Sequence, residues 1–153
     1  MRFSQKQRRV LTWWCRPGDW EAIICDGAVR SGKTFSMGLS FFLWAMARFN
    51  GRQLGLCGKT ITSLRRNLLA ELVPYLRRLG FDCWERRSEN LLTVRLGGHE
   101  NRFLLFGGRD ESSAALIQGS TLAGVLLDEA ALDKILDPYS MTEPGISGKE
   151  LLE

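Results

Sequence analysis

Apolar residues recur along this chain in two rhythms, and the points where the rhythm changes mark the elements. Residues 1–14, MRFSQKQRRVLTWW, place Val10, Leu11 and Trp14 on one face at helical spacing, which predicts a short helix. Pro17 and Gly18 end it. Ala22 to Cys25 is an apolar run of strand length, followed at once by glycines. From Lys33 to Arg48 the pattern is helical again, but Phe35, Met37, Leu39, Phe41, Phe42, Leu43 and Trp44 leave little polar face. A helix apolar on nearly all sides is one buried against a sheet. Asn50-Gly51 stops it.

RQLGLCGK then reads as a second strand, and TSLRRNLLAELVPYLRRLG as a second helix. Thr62 or Ser63 is the expected cap of that helix, Gly80 its stop, and Pro74 a kink or a split. FDCWER, LLTVRL and NRFLLFGG follow as strand candidates, the last two flanking Gly97-Gly98-His99-Glu100, a hairpin signal. SSAALIQG reads as one helical turn or two, and LAGVLLDEA as a buried strand that ends in two acids. Strand, glycine loop, helix, strand, helix and further strands give an α/β fold with a mainly parallel sheet flanked by helices. The last segment, from Asp133 to Glu153, is acidic and rich in turn residues. Pro138, Pro144 and Gly145 are poor strand residues, so no core element is expected there.

Composition narrows this picture. The chain has 153 residues, 44% hydrophobic and 25% charged, which suits one soluble globular domain and not a disordered segment. The start is polar and basic with no apolar run before Val10, so no signal peptide is expected. Met37 to Met46 is too short to span a bilayer, so the expectation is a soluble cytoplasmic protein. Cys15, Cys25, Cys57 and Cys83 are widely separated and the single histidine, His99, is far from them, which argues against a zinc site. Charge is uneven: residues 1–109 hold nineteen Lys/Arg against eight Asp/Glu, a net of +11, whereas residues 110–153 hold two against nine, a net of −7. Arg8-Arg9, Arg65-Arg66, Arg77-Arg78 and Arg86-Arg87 supply much of the excess, and either solvated helix faces or contacts to nucleic-acid phosphates account for them.

The specific chemistry lies in DGAVRSGKTF. Gly27, Gly32, Lys33 and Thr34 fill G-x-x-x-x-G-K-[ST], between a predicted strand and a predicted helix. Glycines let the backbone curl so that the amides of Gly27, Ala28, Val29, Arg30, Ser31 and Gly32 face one cavity, and the helix adds the positive end of its dipole. Lys33 reaches the outer phosphates and Thr34 places its hydroxyl on Mg²⁺. In GVLLDEA, Asp128 is placed to hold that Mg²⁺ and Glu129 to orient and deprotonate the attacking water. ATP and Mg²⁺ are thus the expected ligands. Arg30, inside the loop, either folds over the γ-phosphate as a finger acting within its own chain or pairs with an acid such as Asp26 or Asp110.

DGAVRSGKTF together with LIQGSTLAGVLLDEAAL resembles the ATPase domain of phage terminase large subunits, especially the PBSX-type family. FSQKQRRVL looks like that family's adenine-contacting segment, with Gln7 the first match and Gln5 the second, and GKTITSLRRNLLAEL resembles its segment after the second strand. The resemblance implies a P-loop NTPase that couples ATP hydrolysis to translocation of double-stranded DNA into a procapsid. It also implies a portal protein and a terminase small subunit as partners, a homo-oligomeric ring, a host-cytoplasm location and Arg30 acting in cis. It stops near Leu132, which divides the chain into a partial ATPase domain, 1–132, and a divergent acidic tail, 133–153, with no room for the family's nuclease. In this class a strand after the acidic (Walker B) strand lies between it and the phosphate-loop strand, so the sheet is expected to be incomplete after the Walker B strand. Two other readings stand beside this one: a small nucleotide or nucleoside kinase, and a non-catalytic remnant.

Overall fold

The computed structural model describes residues 2–18, 22–25, 32–108, 121–128 and 149–152. In chain order the elements are α1 (Gln5–Thr12), a 3-10 turn (Trp13–Cys15), β1 (Ala22–Cys25), α2 (Lys33–Arg48), β2 (Gln53–Gly58), α3 (Ile61–Leu64), a π-helical turn (Arg65–Leu69), α4 (Ala70–Arg78), β3 (Asp82–Arg86), a second 3-10 turn (Arg87–Glu89), β4 (Leu91–Leu96), β5 (His99–Gly107), β6 (Val125–Leu127) and β7 (Lys149–Leu152). β1 and α2 have the bounds that the apolar pattern gives.

A five-stranded sheet runs β3-β4-β5-β2-β6, and β1 pairs with β7 in a two-stranded one. The large sheet is mixed. β2 is parallel to β5 and to β6, while β3, β4 and β5 form an antiparallel meander. Its second hairpin is the one predicted, but tighter: Leu96 pairs with His99, so His99 and Glu100 belong to β5 and only Gly97-Gly98 form the turn. Gly97, at φ 57°, supplies the positive φ that a two-residue connection needs to match strand twist.

Side chains alternate across the sheet as a period of two requires. Leu54, Leu56, Leu92, Val94, Phe103 and Leu105 join the main core with Phe42 of α2 and with Leu64, Leu68, Leu72 and Leu76 of the second helical run. Cys57 and Phe106, on the opposite face, make a smaller cluster with Leu104, Leu122 and Leu127. Phe42 stacks on Phe103 with ring centroids 4.2 Å apart.

One end of α2 is fixed by side-chain hydrogen bonds that also set its direction. Asn101, fully buried at the start of β5, donates through Nδ2 to Phe49 O at 2.9 Å and accepts at Oδ1 from Arg52 N at 3.0 Å. Glu100 N donates to Asn50 Oδ1 at 3.0 Å and His99 Nδ1 lies 3.0 Å from Met46 O. The C-terminus of α2 therefore sits at the N-terminal ends of β5 and β2, and α2 runs antiparallel to them. Asn101→Ala should cost about 2–4 kcal/mol, because it removes the buried amide's bonds to Phe49 O and Arg52 N and leaves those backbone groups without that partner. Chemical denaturation at constant m-value measures that loss.

Several sequence expectations are corrected. The second helix is capped by Thr60 and not by Thr62 or Ser63: Ser63 N donates to Thr60 Oγ1 and Thr60 N to Ser63 Oγ, a reciprocal box ahead of both expected caps. Pro74 does not split the run: it lies inside α4. The helix instead carries a wider turn just upstream, in which Ala70 N reaches back to Arg65 O. Gly80 is the stop expected, at φ 96°, with Gly80 N bonded to Arg77 O and Phe81 N to Leu76 O, the paired bonds of a Schellman ending. Trp13, not Trp14, enters the core, because the 3-10 turn after Thr12 rotates the following residues away from α-helical spacing. β6 is not a buried strand: Val125 is 37% exposed, since among the described residues β6 has a strand neighbour on one side alone, β2. The last segment does supply a strand. Lys149–Leu152 lies beyond the two prolines and pairs in parallel with β1, Ala22 opposite Lys149 and Cys25 opposite Leu152. The phosphate-loop strand thus has a parallel neighbour drawn from the segment in which none was expected.

Candidate nucleotide-binding site

Helix starts distinguish this site. α1 and α3 each open with a reciprocal capping box, Ser4 with Gln7 and Thr60 with Ser63. α2 has none: its N-cap is Gly32, in the left-handed region at φ 74°, with no side-chain cap bond and no acid in the first turn. Lys33, the first helical residue, puts a cation at the positive end of the dipole of a 16-residue helix. By the ordinary rules of helix stability this is the wrong way round, and an anion bound at that end reverses the balance.

Three observations bring parts of the predicted site to that end. Two concern level. Phe42 stacks on Phe103, and the four residues from Phe103 to Gly107 rise about 13 Å along β5, equal to roughly nine residues of helix. Counting back from Phe42 along the antiparallel α2 reaches Lys33. Independently, a Cβ on Gly124 would lie 2.7 Å from the Trp44 ring, and four strand residues on from Gly124 is Asp128. β6 aligns Leu127 with Cys57, and Asp128 N donates to Cys57 O at 2.8 Å, so Asp128 ends its strand level with Gly58 and Gly107. Lys33, Thr34 and Asp128 thus lie at the same end of the sheet, the C-terminal end of its parallel strands. The third observation is a contact: Gln7 Nε2 lies 3.0 Å from where a Cβ on Gly32 would sit. α1 reaches this position because Ser40 Oγ of α2 donates to Val10 O at 2.6 Å and Arg48 to Trp14 O, holding α1 along the flank of α2.

Gly27, Ala28, Val29, Arg30, Ser31 and Glu129 lie outside the described residues, as does SSAALIQG. Ser4 was not singled out from the sequence, although Ser-x-x-Gln ahead of a helix is itself a capping-box signal. Cys57, whose carbonyl receives Asp128, is no nucleophile: burial pushes its thiol up to about 12, so it stays protonated at neutral pH. Burial also raises Cys83, to about 11, with Arg77 pulling it down and Asp82 pushing it up.

Each of the four arginine pairs has a member held by its own chain. Arg8 Nε donates to Phe3 O, Arg77 Nη2 donates to Cys83 O at 2.7 Å, and Arg78 lies 5.2 Å from the Tyr75 ring centroid. Arg65 binds Glu85 and Asn90, tying the π turn to the β3–β4 hairpin, while Arg86 meets Glu89 at 3.5 Å. The exposed pairs among these are worth little and exchange readily for another anion. A cleft of about 510 Å³ along β3 is lined by Arg77, Phe81, Cys83, Trp84 and Arg95 among others, and by none of the predicted site residues. No helix among the described residues is long and apolar enough to cross a membrane.

A strand followed by a glycine at positive φ, an uncapped helix headed by Lys-Thr, and an acid at the end of a strand level with it define the P-loop NTPase class within a mixed α/β fold. More particularly, the chain has the fold of the ATPase domain of phage large terminases. It is 43% identical to the large terminase of a thermophilic bacteriophage, with a TM-score of 0.83 over 99% of this chain and 38% of that one. The same phage protein in complex with ATP-gamma-S matches at 37% identity and TM-score 0.78, over 98% of this chain and 38% of that one. The ATPase domain of the Thermus phage P74-26 large terminase shares the fold at 16% identity, with TM-score 0.54 over 99% of this chain and 69% of that one. This chain therefore spans well under half of the thermophilic phage protein, and the likeness continues past Leu132. A 28-residue stretch of the chain is 68% identical to aspartate ammonia-lyase of Bacillus subtilis (strain 168), covering 18% of this chain and 6% of the lyase, too little to carry fold or function. No family model matches the chain.

Proposed function

We propose that this chain is the ATPase part of a viral DNA-packaging terminase large subunit, which hydrolyses ATP to drive double-stranded DNA into a procapsid. The observation that carries the proposal is its 43% identity, over 99% of its length, to a large terminase that has also been solved with ADP and with ATP-gamma-S. In this reading the amides from Gly27 to Gly32 and the start of α2 receive the polyphosphate, and Lys33 neutralises its outer charge. Thr34 and Asp128 offer a hydroxyl and a carboxylate at the same end of the sheet, hard oxygen donors of the kind Mg²⁺ prefers, and would hold it there. When bound, Mg²⁺ neutralises charge on the phosphate oxygens. Glu129, next to Asp128, takes the proton of the attacking water, and Arg30 stabilises charge on the transferring phosphoryl group.

The partners follow from the same reading: duplex DNA, a portal protein and a small subunit, around a ring of copies in the host cytoplasm. Purified chain with Mg-ATP should release inorganic phosphate, and duplex DNA should bind with an affinity that falls steeply as salt rises. Transfer of phosphate to a nucleoside, with none released, would point to the kinase reading instead. Nucleotide binding with neither outcome would leave the non-catalytic one.

A further inference from the structure

Gly124 is a glycine for lack of room and not for its backbone. Its φ is not among the positive ones. A Cβ there would nevertheless lie 2.7 Å from two outer carbons of the Trp44 ring, Cη2 and Cζ3. Ordinary contact between carbons is about 3.5–4.0 Å, so a methyl group at this position asks one side to move by about 1 Å. Neither side yields easily. The Trp44 ring packs against Phe41, Phe49 and Trp13, with centroids 5.6, 5.1 and 6.1 Å away. The chain around Gly124 is tied to β2 on both sides of the contact. Ala123 N donates to Gln53 O at 2.8 Å, Gly55 N to Gly124 O at 2.9 Å, and Asp128 N to Cys57 O at 2.8 Å.

The contact lies away from the site, on the two elements that lead to it. Thr34 is about 15 Å back along α2 from Trp44, and Asp128 is about 13 Å on from Gly124 through β6. The two arms are of similar length and run to the same end of the sheet. Where β6 rests against α2 at Gly124 therefore sets where Asp128 stands against Thr34.

We propose that Gly124 and Trp44 are a positioning pair: the bare glycine lets β6 close on α2, and so brings the Asp128 carboxylate and the Thr34 hydroxyl to one metal ion. The inference rests on the nucleotide and Mg²⁺ reading above. Mg²⁺ takes its oxygens at about 2.0–2.1 Å in a near-octahedral array, so a displaced Asp128 falls on the metal first. Lys33 and the start of α2 stay on their own element, and their hold on the phosphates is spared.

The test measures ATPγS binding to the purified chain with Mg²⁺ and with EDTA. Gly124→Ala should cut the gain in affinity that Mg²⁺ confers by about tenfold or more, while affinity in EDTA stays within about twofold. Adding Trp44→Phe to that variant removes the outer ring carbons and should bring the gain back to within about threefold of the unmodified chain. Trp44→Phe alone keeps an aromatic ring for Phe41 and Phe49 and adds no atoms, and it should lower the gain by a smaller factor, about threefold. An unchanged gain in Gly124→Ala overturns the inference, as do equal losses with and without Mg²⁺ or no recovery in the double variant. Where Gly124→Ala does not fold, an unchanged gain in Trp44→Phe overturns it. An unmodified chain that binds no ATPγS, or binds it equally with and without Mg²⁺, defeats the nucleotide and metal reading itself before any variant is made, and this inference with it.

Discussion

Lys33→Ala should remove measurable binding of ATPγS at concentrations that saturate the unmodified chain, a loss of roughly a hundredfold or about 2.7 kcal/mol. The expectation comes from the start of α2. The starts of α1 and α3 are closed by their own side chains, Ser4 and Thr60, whereas α2 begins on Gly32 with no side-chain cap bond and no acid, and adds a lysine where the dipole disfavours one. Removing the lysine should leave the fold intact, since Lys33 is no part of the buried core. Thermal midpoints separate the two effects. Without nucleotide the variant should melt close to the unmodified chain, and with saturating nucleotide only the unmodified chain should shift upward. A variant that still gains the full shift would show that the start of α2 is not where the phosphates sit.

The second large effect belongs to chemistry and not to binding. Glu129→Gln should lower phosphate release by roughly a thousandfold while ATPγS affinity stays within about twofold. Glu129 follows Asp128, which closes β6 through its bond to Cys57 O and stands at the same end of the sheet as Lys33 and Thr34. An amide of the same size keeps the shape of the site and cannot accept the proton of the attacking water, so binding and turnover come apart. Equal loss of both would make Glu129 a ligand or a structural residue.

How far the sequence carries the fold depends on how local the deciding interaction is. β1 and α2 came out with correct bounds because an apolar run ends in glycine, and because an apolar helix has one place to go, against a sheet. The Gly97-Gly98 hairpin and the Gly80 stop were legible for the same reason, since a positive φ needs glycine and glycine is visible. What was missed is set by contacts distant in sequence or by competition between similar signals. Thr60, Thr62 and Ser63 are all good caps, and the choice falls to Thr60, one residue ahead of Ile61. The π turn before Pro74 carries Arg65, whose partners Glu85 and Asn90 are on another element. β7 is a short run, KELL, whose strand state comes from pairing with β1 and not from its own propensity. Its two preceding prolines argued against a strand, but they lie upstream of it.

The site was read in the same way, with the same limits. The phosphate loop and the acid at the end of β6 have spacing that carries a mechanism, and Lys33, Thr34 and Asp128 do come to one end of the sheet. Gln7 was reached through a resemblance, and its amide polarity was not legible, because it depends on the hydrogen bond from Ser4 N. The arginine pairs show the reverse case. Their clustering suggested phosphate contacts, yet the identity of a cation says nothing of which nearby carbonyl, ring or carboxylate already holds it, as Arg77 on Cys83 O and Arg78 on Tyr75 illustrate.

A crystal structure of this chain grown with Mg²⁺ and ATPγS tests the central claim most directly. The account predicts the triphosphate on the amides from Gly27 to Thr34, with the metal between the Thr34 hydroxyl and the Asp128 carboxylate. A triphosphate bound elsewhere, or an Asp128 carboxylate turned away from the metal, would contradict it.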